Sequence, residues 1–162
     1  HVNKDMNQVN YLGRGPRENY ADSKEAGYLG VYRSTIEEMF TNYVVPQANG
    51  NRMDTRWVAL TDDRGQGLFA ADEAGFNFST SYYEEADLDN AKHTCDLKER
   101  EYIVVNIDYK QNALGSYSCG QWQLEKYRTT SEKFNLSFRL TGFNAKEADA
   151  SVLSHEVIKA PF

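Results

Sequence analysis

The cleanest alternation of apolar and polar positions lies in FNFSTSYY, residues 76–83. Phe76, Phe78 and Thr80 alternate with Asn77, Ser79 and Ser81. Neighbouring side chains on a strand point to opposite faces, so this period of two predicts a half-buried strand with one polar face. KFNLSFRLTGF (133–143) repeats the pattern through Phe134, Leu136, Phe138 and Leu140. REYIVVNIDYK (100–110) carries Ile103, Val104, Val105 and Ile107 and reads as the most apolar strand. QVNYLG (8–13) and GYLGVYRS (27–34) read as shorter strands. DTRWVALTDDRGQGLFAADE (54–73) predicts a hairpin, with strands 54–61 and 67–72 joined by DDRGQ. YVVPQANGNR (43–52) starts apolar, is broken by Pro46, and is expected to turn tightly at Asn49-Gly50.

The period changes in SYYEEADLDNAKHTCDL. Ser81 and Glu84 have capping-box spacing, and Leu88, Ala91 and Cys95 recur at helical spacing. One short helix near 84–94 is expected, with Cys95 in the core and His93 at the helix end. Ser34 and Glu37 have the same capping spacing at a possible helical turn. After Phe143, Asn144 and Glu147 open a stretch that reads as a terminal helix or tail. The organisation expected is a β-sandwich domain over 1–143 and a helix or tail over 144–162. Many short strands with Gly- or Pro-bearing turns make the fold class all-β, an antiparallel sandwich.

Composition narrows the partners. A formal net charge of −6, with both signs interspersed, argues against nucleic acid, which demands clustered Lys and Arg. No apolar run approaches the roughly 18 residues that cross a membrane. No signal-peptide pattern opens the chain, and the missing initiator Met suggests a shortened or processed chain. Two cysteines, Cys95 and Cys119, are too few for a disulfide framework and point to reduced thiols in a cytoplasmic protein. His1, His93 and His155 lie far apart, with no metal-binding spacing. Aromatic residues make up 13% of the chain, and most fit cross-strand packing.

Catalytic candidates are weak. NALGSYSCGQWQ (112–123) follows the apolar strand and brackets Ser116, Tyr117, Ser118 and Cys119 between Gly115 and Gly120. It lacks the glycine two residues before Ser118 that a nucleophile elbow needs. No sequence signal supplies Cys119 with a base. Glu84, Glu85, Asp87 and Asp89 are close in sequence but read as solvated helix charges, as do Glu37 and Glu38. Arg14, Arg17 and Glu18 of RGPRENY read as a packed polar cluster. Arg52, Asp54 and Arg56 read as ion-pair partners, and Trp57 as an inward ring. Nothing here makes a self-contained active site.

YLGRGPRENYADS (11–23), GVYRSTIEEMFTNYVVPQANGNRMDTRWVAL (30–60), FNFSTSYYEEADLDNAKHTCDL (76–97) and VNIDYKQNALGSYSCG (105–120) occur in an order that resembles one family. It is the C-terminal, or small-chain, domain of the β-galactosidases of glycoside hydrolase family 2. The resemblance implies an antiparallel β-supersandwich of galactose-mutarotase-like type, of which this chain is a part. It also implies a multidomain enzyme that hydrolyses terminal β-D-galactosides. The catalytic glutamates and a magnesium ion belong to a central barrel, so no catalytic residue and no cofactor are carried over to this chain. The implied role is structural and supports the substrate pocket. The loop of Gly115, Ser116, Ser118, Cys119 and Gly120 would shape the pocket wall, with its serines offering hydrogen bonds. Implied partners are the barrel domain or large chain, the galactoside substrate and further copies in a homo-oligomer. The alternatives are a stand-alone carbohydrate-binding module and an aldose epimerase-like enzyme. The supersandwich is longer than this chain, so an uncovered sheet face or edge, and self-association, are expected.

Overall fold

The computed structural model describes residues 1–112, 122–130 and 132–156. Its strands are β1 (Val2–Asn3), β2 (Gln8–Gly15), β3 (Tyr28–Thr35), β4 (Arg52–Thr61), β5 (Gln66–Ser81), β6 (Tyr102–Asp108) and β7 (Arg139–Asn144). They form one seven-stranded sheet in the order β1-β6-β5-β4-β2-β3, with β7 also paired to β5. Every pairing is antiparallel. The domain is all-β and sandwich-like, with an apolar cluster on each face of the sheet. Among the described residues there are three short α-helices: α1 (Ile36–Met39) at the possible helical turn, α2 (Glu85–Asn90) at the expected short helix, and α3 (Ala150–Ser154) in the stretch read as a terminal helix or tail.

Period-two patterning explains the two clusters. On β4, Val58 and Leu60 join one cluster with Val9, Tyr11, Phe76, Phe78 and Ile103. Trp57 and Ala59, their neighbours along the strand, join the other with Phe69, Ala71 and Phe143. Ile36 and Met39 of α1 seal the first cluster. Ala150 of α3, with Leu153 beside it, packs on the second. The Arg139 guanidinium donates to the Leu153 and Glu156 carbonyls and so ties α3 to β7.

Several expectations shift. The hairpin's second strand and the FNFSTSYY strand are one 16-residue strand, β5. Gly75 carries the chain between them with φ of 89°, a conformation open to glycine at little cost. β5 lends Gln66–Ala71 to β7 and Asn77–Ser81 to β6. That division shortens the strand expected over 133–143. Pairing of β7 with β5 ends at Arg139 opposite Ala71, and β5 pairs with β6 from Asn77 onward. Phe134 instead stacks on Tyr109 at 4.7 Å.

The helix expected near 84–94 is the shorter α2, followed by a separate 3-10 turn at Thr94–Asp96. β5 pairing continues to Ser81, so capping moves to Asp87, whose carboxylate accepts from the Glu84 backbone N–H at 3.0 Å. Cys95 consequently leaves the helical face and is exposed and unbridged, not in the core. His93 stands exposed before the 3-10 turn. The first capping box is offset by one residue, to Thr35 and Glu38. Residues 40–51 form an open loop in place of a tight turn, although Gly50 does take φ of 78°. No helix among the described residues is long and apolar enough to cross a membrane.

Candidate functional site

The polar face predicted for FNFSTSYY becomes the floor of a cleft. Ser79 and Ser81 on β5 lie opposite Asn106 and Val104 on β6. The Asn106 side-chain amide donates to Ser79 Oγ at 3.3 Å. Asn49 and Asn51 from the 40–51 loop close one side, Tyr83 and the start of α2 another, and Gln111 the end. The cleft has a volume of about 580 Å³. That falls inside the roughly 300–1,000 Å³ common for small-molecule sites.

The cleft wall is held by a clasp that the sequence indicated only in part. Glu18 accepts from the Gly50 N–H at 2.7 Å, from the Tyr20 hydroxyl at 3.2 Å and from the Tyr43 hydroxyl. Asn19 donates to the Arg14 and Arg17 carbonyls and accepts from the Met53 N–H at 2.9 Å. The Asn51 amide donates to the Asn19 carbonyl at 2.9 Å, and the two residues also share a backbone bond. Asn51 is only 3% exposed, and its side-chain oxygen has no hydrogen-bond partner among the described residues.

The expected charge clusters are rearranged. Arg14, Arg17 and Glu18 do not form one group. Arg14 donates to Asp54 at 2.6 Å and to the Lys24 and Gly27 carbonyls, Glu18 serves the clasp, and Arg17 is exposed. The ladder of β4 slips between Arg52 and Trp57, and Asp54, with φ of 52°, turns its carboxylate toward Arg14. Arg52, 2% exposed, donates to the Tyr11 hydroxyl at 3.0 Å, and Arg56 donates to the Glu73 carbonyl. Trp57 is buried, as expected.

Two carboxylates near the cleft, Asp87 and Glu84, are tied to structure. Asp87 takes two bonds from Arg100, at 2.8 and 2.6 Å, and these hold its carboxyl below the ordinary aspartate range. Glu84 accepts from the Tyr102 hydroxyl at 2.8 Å and meets His1 at 3.0 Å. Glu85 and Asp89 are exposed on α2, and Glu37 and Glu38 on α1. Among the described residues, no three His, Cys, Asp or Glu side chains converge to hold a metal ion.

The predicted pocket loop, Gly115, Ser116, Ser118, Cys119 and Gly120, lies outside the described residues. Its root does not. Gln111 lines the cleft end, and its amide donates to Asp108 at 2.8 Å. Asn112, one residue on, accepts from buried Gln123 on the far side of the loop at 2.5 Å.

A family model described as "Beta galactosidase small chain" matches residues 1–140. The chain belongs to the beta-galactosidase small-chain family. Members of the family similar to it include beta-galactosidases of three organisms. That of Actinobacillus pleuropneumoniae is 34% identical over 137 residues, covering 85% of this chain and 13% of the relative. That of Kluyveromyces lactis is 37% identical over 131 residues, covering 80% of this chain and 12% of the relative. That of Vibrio cholerae is 36% identical over 109 residues, covering 67% of this chain and 10% of the relative. The chain thus spans about an eighth of the length of the first two family members.

Proposed function

We propose that this chain is the structural and substrate-pocket-supporting part of a β-galactosidase and does not hydrolyse galactosides alone. One observation carries the reading: an apolar groove on the first-cluster face of the sheet. Val58, Leu60, Leu68, Ala70, Val105 and Ile107 line it, at a volume of about 320 Å³. Phe138 and Leu140 complete it while remaining 40% and 59% exposed. Open apolar surface on a sheet is disfavoured in water unless another element lies on it. The remaining length of a β-galactosidase, including a barrel domain or large chain, supplies such an element. Self-association into a homo-oligomer is the second way to cover the groove.

In this reading Gly115, Ser116, Ser118, Cys119 and Gly120 form a wall of the galactoside pocket. The support is the placement of the loop root, Gln111 and Asn112, beside the polar cleft and the Gln123 tie. Any magnesium belongs to the remainder of the enzyme. A cytoplasmic setting goes with the exposed, unbridged Cys95.

The test is hydrolysis of a chromogenic β-galactoside by the purified chain, alone and mixed with the remainder of the enzyme. No turnover alone, and turnover in the mixture, is the expected result. Turnover by the chain alone that survives rigorous purification overturns the reading.

A further inference from the structure

A second cavity, of about 490 Å³, opens where the chain after β7 returns over the sheet, and it shares no lining residue with the polar cleft. Its floor follows from strand register. Asn10 on β2 stands opposite Arg33 on β3 and Ala59 on β4. Directly opposed residues project to one face, with Cβ atoms about 5 Å apart. The short Ala59 side chain leaves a hollow beside Asn10 and Arg33. The facing wall is the turn at 145–149. The Ala145 N–H donates to the Gly65 carbonyl at 2.7 Å, and the Glu147 and Ala148 N–H groups both donate to the Asn144 carbonyl at 3.0 Å. Lys146 and Glu147 line the cavity from this wall. The wall lies beyond residues 1–140, the segment that the family model matches.

The donors in this cavity are uncommitted. Arg33 and Lys146 make no ion pair with any acid among the described residues, and both are exposed. Arginines elsewhere, such as Arg52, Arg100 and Arg139, are tied to oxygens of the chain itself. The Asn10 side-chain nitrogen donates to nothing among the described residues and, unlike its oxygen, is open to solvent. Of the two carboxylates in the lining, that of Asp149 already accepts from the Ser151 and Val152 N–H groups at 2.8 and 3.1 Å. Glu147 has no partner among the described residues. Two free cations against one free carboxylate leave a single positive charge in surplus.

We propose that this cavity binds a small monocarboxylate. The guanidinium fork of Arg33 matches the two carboxylate oxygens, and the Lys146 ammonium and the Asn10 amide donate to their remaining lone pairs. The surplus of one positive charge suits a monoanion over a multiply charged ligand. A volume of about 490 Å³ lies inside the roughly 300–1,000 Å³ common for small-molecule sites. The site uses neither the apolar groove nor the loop at 115–120, so it stands or falls separately from the supporting role.

The experiment is a titration of the nitrogen-15-labelled chain at fixed ionic strength with butyrate, with its uncharged analogue butyramide and with inorganic phosphate. The signals followed are the Asn10 side-chain amide and Arg33 Nε–H. Saturable shifts with butyrate, and none with butyramide, are expected. Arg33→Gln and Lys146→Gln each weaken butyrate binding by roughly tenfold, the loss of about one charge-assisted hydrogen bond. Glu147→Gln removes a repelling charge and tightens binding by roughly threefold. Arg17→Gln, at an exposed arginine outside the cavity, leaves binding unchanged. All four side chains are exposed, so the backbone spectrum stays in place in each variant. Shifts that never saturate, equal saturation by butyramide, or unchanged affinity in both Arg33→Gln and Lys146→Gln overturn the proposal. Tighter saturation by phosphate than by butyrate overturns the ligand class.

Discussion

Glu18 shows how one side chain sets the local order. Three donors reach its carboxylate, from Tyr20, Tyr43 and Gly50, and they draw the 40–51 loop onto the segment that follows β2. Glu18→Ala strands those donors, and a loss of about 2 kcal/mol in urea unfolding is expected. The same clasp gives a pH dependence. Burial raises the Tyr20 and Tyr43 phenols above their ordinary range, and the Glu18 charge and hydrogen bonds raise them further. The folded state therefore keeps protons that the unfolded chain sheds near pH ~10. This contribution is complete below that pH and falls as the pH climbs past it. Melting followed from pH ~9 to ~11 should show the decline, and Tyr43→Phe, which removes one of the phenols, should make it shallower. RGPRENY announced polar packing, but sequence spacing carries no partner identities. Asp54, which pairs with Arg14, and Tyr43 and Gly50, which pair with Glu18, lie 25 to 40 positions away, in pairings set by the fold.

At the level of elements, β5 is the spine of the domain, with β4 on one side and β6 and β7 sharing the other. Its start depends on Gly67. A Cβ there would sit 1.7 Å from the Leu60 carbonyl oxygen and 2.8 Å from Thr61 Cα. Gly67→Ala must push β4 and β5 apart, so a loss of about 3 kcal/mol or more in urea unfolding is expected. Gly142→Ala on the neighbouring β7 meets nothing within 4 Å and should change stability by less than about 0.5 kcal/mol. The terminal helix belongs to the same argument. Ala150 and Leu153 cover the cluster of Trp57, Phe69 and Phe143. A chain ending at Asn144 should lose about 2 kcal/mol and melt lower, and unchanged melting would show the helix to be dispensable. Alternation at 76–83 makes the polar cleft floor legible in the sequence, because period two fixes which side chains share a face. Three features are not legible there. The continuity of β5, the short β7 and the exposure of Cys95 all follow from which strand pairs with which, and no local period encodes that.

At the scale of the molecule, the two faces of the sheet differ in how they are finished. On one face α3 covers the cluster around Trp57 and Phe69. On the other, α1 seals one part of the cluster, and the groove between Leu60, Ile107 and Leu140 stays open. Of its rim residues, Leu140 is mostly exposed and Phe138 is 40% exposed beside the Phe76 ring, so both offer apolar surface to whatever lies on the groove. Replacing both with serine tests this surface. Urea unfolding of Phe138→Ser/Leu140→Ser should stay within about 1 kcal/mol of the parent, because neither side chain is fully buried. Binding of a hydrophobic dye to the chain should fall clearly, and any concentration-dependent self-association in sedimentation should weaken. If the groove receives the remainder of a β-galactosidase, as proposed, mixing with that remainder should restore less β-galactoside hydrolysis than the parent chain does. A double variant that loses dye binding yet restores full hydrolysis would assign the groove to another use and leave the supporting role to be carried by other surfaces of the domain.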